Sequence, residues 1–108
     1  IATLLQRPDI NVNHTGRVGE NALMILFRSS NSSRIVQLTE MLIRQRIYLN
    51  QTNDAGENAL MYLCKNSKSE DFVQVAKILI NNGIQVNEKK NDGSNALLLL
   101  CKHSQILP

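Results

Sequence analysis

Gly56-Glu57-Asn58-Ala59-Leu60-Met61 is preceded 37 residues earlier by Gly19-Glu20-Asn21-Ala22-Leu23-Met24 and followed 37 residues later by Gly93-Ser94-Asn95-Ala96-Leu97-Leu98. A second phrase keeps the same offset: Ile10-Asn11-Val12-Asn13, Ile47-Tyr48-Leu49-Asn50 and Ile84-Gln85-Val86-Asn87. Aligned without gaps, residues 13–49 and 50–86 are identical at 16 of 37 positions. Self-similarity at such a period marks a repeat architecture, in which each unit buries its apolar face against the next copy.

Each unit reads as two helices and a turn. Asn21, Asn58 and Asn95 suit an N-cap, where the side-chain oxygen accepts an orphan backbone N–H. Behind them Leu23 and Leu26, Leu60 and Leu63, and Leu97 and Leu100 recur at helical spacing. Polar turns follow at 29–33 and 66–70. A longer amphipathic helix then carries Ile35, Leu38 and Leu42 in one unit and Phe72, Val75, Ile78 and Leu79 in the next. It stops at Gly83, a residue suited to the left-handed position after a helix. The equivalent places hold Asp9 and Arg46, and a left-handed arginine carries about 1 kcal/mol of strain. Residues 84–93 read as an extended connector. The units divide as 1–18 (end of a preceding repeat), 19–55, 56–92 and 93–108 (start of a further repeat). Residues 1–7 align with 75–81, so the expectation is a fragment of a longer array.

These residues resemble the ankyrin repeat. Gly56-Glu57-Asn58-Ala59-Leu60-Met61 stands where that family has Gly-x-Thr-Pro-Leu-His, and 75–87 looks like its second helix and Gly-Ala-Asp-Val-Asn ending. The extended Ile-x-Val-Asn segment sets it apart from tetratricopeptide units, which use tight helix–turn–helix links, and from HEAT units, which run longer and also lack a hairpin. The departures are a period longer than the family's 33, with the four extra residues falling around 66–70, Asn for Thr, Ala for Pro, and Met24, Met61 and Leu98 for His. The resemblance implies an all-α, ankyrin-type solenoid of stacked helix-turn-helix repeats with hairpin-like connectors.

Composition narrows the function. The 108 residues are 43% apolar and 19% charged, which is globular material. Twelve basic against nine acidic residues leave a net charge of +3, mild for a nucleic-acid partner. Four aromatics and no tryptophan offer little for base stacking. The longest apolar runs, Ala22–Phe27 and Ala96–Cys101, are far short of the roughly 20 residues that span a bilayer. Two cysteines make no disulfide scaffold. The expected setting is intracellular, cytoplasmic or nuclear, without membrane insertion.

Catalytic chemistry has little support. Cys64 and Cys101 share one repeat position and read as small packing residues. His103 is two residues from Cys101, and residues two apart on a helix do not face each other. His14, Cys64, Cys101 and His103 lack metal-ligand spacing, and no cofactor is expected. Gly16-Arg17-Val18-Gly19 lacks the Gly-Lys-Ser/Thr ending of a phosphate loop and reads as a turn. Met24 and Met61 read as packing.

One constellation stands out. Arg28, Lys65 and Lys102 occupy the same place in three repeats, at the end of the first helix. Stacking sets them in a row about 10 Å apart. They serve either as a solvated rim complementing helix macrodipoles or as a row that meets an acidic segment. Glu20 and Glu57, with Ser94 third, stand beside them, and Arg17, Asn53, Asp54, Lys90 and Asn91 mark the connector tips. The resemblance implies that these elements line a concave recognition face. The expected function is binding of another protein, with an acidic segment as one form of partner. The competing readings are nucleic acid or another acidic ligand on the basic row, and a structural spacer.

Overall fold

In the computed structural model of the chain, residues 11–29, 34–65 and 71–103 are described, and they contain five helices and no strand. These are α1 (Ala22–Ser29), α2 (Ile35–Arg44), α3 (Ala59–Lys65), α4 (Phe72–Asn81) and α5 (Ala96–His103). The asparagine caps form as the sequence implies. Asn21 Oδ1 accepts the Met24 amide at 3.1 Å, Asn58 Oδ1 the Met61 amide at 3.0 Å and Asn95 Oδ1 the Leu98 amide at 3.0 Å. Two of these side chains also do a second job. Asn21 Nδ2 donates to the Tyr48 carbonyl at 3.1 Å and Asn58 Nδ2 to the Gln85 carbonyl at 3.0 Å. The start of a first helix is thereby tied to the connector that closes the same repeat. Asn13 and Asn50 act on those same connector residues from one repeat earlier, accepting the Tyr48 and Gln85 amides through Oδ1 at 2.6 and 2.8 Å.

The second helices end on left-handed residues. Arg46 has φ 63° and Gly83 φ 92°. Around them the Arg46 amide donates to the Ile43 carbonyl and Ile47 to Leu42, while Gly83 donates to Ile80 and Ile84 to Leu79. Both turns thus use the pair of bonds that satisfies the last carbonyls of a helix. Arginine fills in the first turn a role that glycine fills in the second without a Cβ penalty.

The connectors carry turns at equivalent places, with Gly16, Asn53 and Lys90 amides bonded to the Glu20, Glu57 and Ser94 carbonyls. Successive tips are stitched together by Asp54 donating to the Val18 carbonyl at 2.8 Å and Asn91 to that of Ala55 at 2.7 Å. Gly56 sits where the tips meet. A Cβ there would lie 2.9 Å from Asn91 Oδ1 and 3.1 Å from the Lys90 Cα, on a backbone with φ +82°.

The helices stack in two layers. First helices α1, α3 and α5 contact one another in series, and second helices α2 and α4 pack alongside them. Leu23, Met24, Met61, Val75 and Leu79 are fully buried, with Phe27, Leu42 and Leu63 nearly so. Thr39 joins them by donating its hydroxyl to the Ile35 carbonyl at 2.7 Å, which satisfies an otherwise unpaired polar group in the core. Burial at these positions confirms packing for the two methionines and for Cys64, but not for every equivalent. Leu97 is 65% exposed and Cys101 is exposed, whereas their equivalents Leu60 and Cys64 are buried. Residues 1–10, 30–33, 66–70 and 104–108, and the His103 side chain, lie outside the described residues. The readings of Asp9, of the polar turns, of the four extra residues and of His103 lie there with them.

Candidate functional site

The cation row is placed by the C-terminal turns of α1, α3 and α5, and two of its members are already engaged. Arg28 holds Glu20 with two bonds, Nε to Oε2 at 3.1 Å and a terminal nitrogen to Oε1 at 3.2 Å. Lys65 Nζ donates to Glu57 Oε2 at 2.8 Å, and Lys90 Nζ approaches the same oxygen at 3.4 Å. Lys102 stands eight residues after Ser94, as Arg28 does after Glu20. Serine offers no carboxylate, and none lies within 4 Å of Lys102 among the described residues.

Tyr62 joins the pairs into one network. Its hydroxyl donates to Glu20 Oε2 at 2.6 Å and accepts from Asn53 Nδ2 at 2.8 Å. Asn53 Nδ2 also donates to Glu57 Oε1 at 3.0 Å, and its Oδ1 accepts the Ala55 and Glu57 amides. The Lys65 ammonium lies 5.3 Å from the Tyr62 ring centre, within cation–π range. A continuous path therefore runs from Arg28 through Glu20, Tyr62, Asn53 and Glu57 to Lys65 and Lys90. It crosses from one repeat into the next.

Electrostatics follow the geometry. Burial by itself would raise the Glu57 carboxyl, but hydrogen bonds from Lys65 and Asn53 and the charges of Lys65 and Lys90 outweigh it, so the group lies below its ordinary value. Tyr62 is pushed up to about 12 by burial and by the Glu20 carboxylate that accepts its hydrogen bond. Burial pushes the Cys64 thiol up to about 11, the opposite of what a nucleophile needs. Asp92, beside Lys90 at 3.8 Å, is lowered chiefly by the Ser94 amide.

The predicted positions thus separate. Glu20, Arg28, Asn53, Glu57, Lys65 and Lys90 come together in the network. Arg17, Asp54 and Asn91 lie exposed at the tips, where Asn91 Nδ2 donates to the Asp54 carbonyl at 3.0 Å. Lys102 is exposed at the end of the row. Reading the row as three equivalent surface cations needs correcting, since the glutamates neutralise two of them. Sequence reasoning missed Tyr62, because its equivalents are Ile25 and Leu99 and no repeat pattern flags it. Among the described residues no group of three or more His, Cys, Asp or Glu is arranged to hold a metal, and no helix is long and apolar enough to cross a membrane.

Comparison with known proteins agrees with this architecture. No curated protein matches the chain. The family model described as ankyrin repeats, in three copies, matches residues 1–90. Ankyrin repeats are generally protein–protein interaction modules and are typically non-catalytic. With its helix pairs, capped first helices and stitched connector tips, the chain belongs to the ankyrin-repeat family.

Proposed function

We propose that this chain is a non-catalytic protein-binding module of an intracellular protein, and that its partner lies across the first-helix ends and the connector tips. The observation that carries this reading is the network itself. Arg28, Lys65 and Lys90 are paired with Glu20, Glu57 and Asp92, which leaves a mixed, prearranged polar face. Such a face suits a protein surface better than a phosphate backbone, whose binding draws on uncompensated cations. Prearrangement also helps affinity, because few side chains must be ordered on association. The Lys102 ammonium, which has no carboxylate within 4 Å among the described residues, supports a partner that brings an acidic side chain to that end of the row.

The test is affinity capture from a lysate with the native chain and with Arg17→Glu/Asp54→Lys/Lys102→Glu. These three positions are exposed and stand outside the network, so the fold is expected to survive, which circular dichroism checks. A nuclease-resistant protein retained by the native chain and lost by the variant supports the proposal. Loss on nuclease treatment turns it toward nucleic acid. Equal capture by both baits overturns the assignment of the face.

A further inference from the structure

Asn82-Gly83 closes α4, and it is the only place in the chain where asparagine precedes glycine. That pairing carries its own chemistry. The glycine nitrogen has no neighbouring side chain to hinder its attack on the asparagine side-chain carbon. Attack forms a carbon–nitrogen bond that closes a five-membered succinimide, while the Gly83 amide proton passes to base and the side chain loses ammonia. Water then opens the ring at either carbonyl. One product carries aspartate at position 82, the other isoaspartate, with the chain routed through the side-chain carbon.

The folded turn directs both reacting groups elsewhere. Asn82 Nδ2 donates to the Ile78 carbonyl at 2.7 Å, and the Gly83 amide donates to that of Ile80 at 3.1 Å. With ψ at 9°, Asn82 keeps the helical course that aims the Gly83 amide back along α4. Ring closure must break both bonds, and both lie in an exposed last turn, where helices open more readily than in the core. Among the described residues nothing lies within 4 Å of a Cβ on Gly83, so the turn has room to move. Exposure here does not depend on place in the stack. Gln45 and Arg46, the equivalents with a further repeat beyond them, are exposed as well. Gln45 has the same ψ of 9°, but its longer side chain cannot close a five-membered ring, and the Arg46 side chain crowds the attacking nitrogen. The glycine that removes strain from the second turn thus also makes that turn reactive.

We propose that Asn82 is a site of spontaneous deamidation, reached by fraying of the last α4 turn without unfolding of the chain. The product weakens the repeat boundary. A carboxylate at position 82 faces the negative end of the α4 macrodipole and has no N–H to give the Ile78 carbonyl. Isoaspartate adds a backbone methylene just before three bonds that fix the connector: Ile84 to the Leu79 carbonyl, Gln85 to Asn50 and Asn58 to the Gln85 carbonyl. This site lies away from the polar face, and the inference is independent of the reading given to that face.

The test incubates the 108-residue chain in mildly alkaline buffer at physiological temperature, beside a free peptide of residues 75–87. Digestion at acid pH and tandem mass spectrometry locate each amide converted to a carboxyl. Conversion is expected at Asn82 ahead of the capping asparagines, about tenfold slower than in the peptide and unchanged by urea below the unfolding transition. Asn82→Gln, with its circular dichroism signal intact, is expected to abolish it. The converted chain, separated by ion exchange, is expected to melt below the unconverted one. An intact Asn82 after the peptide has fully reacted overturns the proposal, as does a rate equal to the peptide's. A rate that rises with urea in step with global unfolding also overturns it, because the last turn then does not open by itself.

Discussion

The phrase Gly-x-Asn-Ala-Leu occurs in the middle of the stack at Gly56–Leu60 and at its end at Gly93–Leu97, with different outcomes. Leu60 is 6% exposed and Leu97 65%; Met61 is fully buried and its equivalent Leu98 is 55% exposed. A Cβ on Gly56 would collide with the next connector tip, whereas among the described residues nothing lies within 4 Å of one on Gly93. Both asparagines cap their helices, yet Asn58 is bonded to a connector carbonyl as well. Local backbone chemistry is thus common to both copies, while burial comes from a neighbour. In a solenoid, stability is the sum of what a repeat does alone and what its interfaces add.

Paired substitutions sharpen this contrast, and the largest effect belongs to the core. Leu60→Ala is expected to cost about 2–5 kcal/mol, as for other buried leucines, and Leu97→Ala below about 1 kcal/mol. Urea denaturation of the two variants measures the gap, and equal losses would break the comparison. Asn58→Ala is expected to cost about 2 kcal/mol, roughly half from the lost cap and half from the unpaired Gln85 carbonyl. Asn95→Ala, which loses the cap alone, is expected to cost about 1 kcal/mol. The same denaturation series checks both.

Arg46→Gly compares the two helix ends. Removing the left-handed Cβ is expected to stabilise the chain by up to about 1 kcal/mol and to raise the melting temperature. An unchanged midpoint would show that the arginine side chain offsets its own strain.

Glu57 gives the pH dependence. Its folded value lies below the ordinary 4.5, so in that window the folded chain binds fewer protons than the unfolded one. Its contribution is present above about 4.5 and is lost as pH falls through the folded value. Melting curves from pH 7 to 3 should therefore fall less steeply for Glu57→Gln than for the native chain. Last in size, Ser94→Glu places a carboxylate eight residues before Lys102, as Glu20 stands before Arg28. An exposed pair of this kind contributes about 0.2–1 kcal/mol, visible as a small rise in melting temperature that high salt removes.

Much of the fold was legible because it is periodic. The helix pairs, the three caps and the left-handed turn at Arg46 follow from residue types at fixed offsets, each with a local physical cause. The candidate site was legible only in part. The sequence placed Arg28 and Lys65 beside Glu20 and Glu57, but whether side chains eight residues apart meet depends on how a connector folds back over its helix. Tyr62 was invisible because the repeat comparison looks for sameness, and the residue that links the two pairs differs from its equivalents. The double role of Asn21 and Asn58 was hidden for a related reason. Capping is a local property, whereas the Tyr48 and Gln85 carbonyls are 27 residues away.

By itself the sequence determined the repeat, its period, its helix starts and stops, and the family it belongs to, since all of these rest on interactions within a few residues along the chain. Only the tertiary structure decided which cations are paired and which copy of a shared leucine is buried. Those outcomes depend on what lies across a repeat boundary, and identical local sequence meets different neighbours in the middle of a stack and at its end.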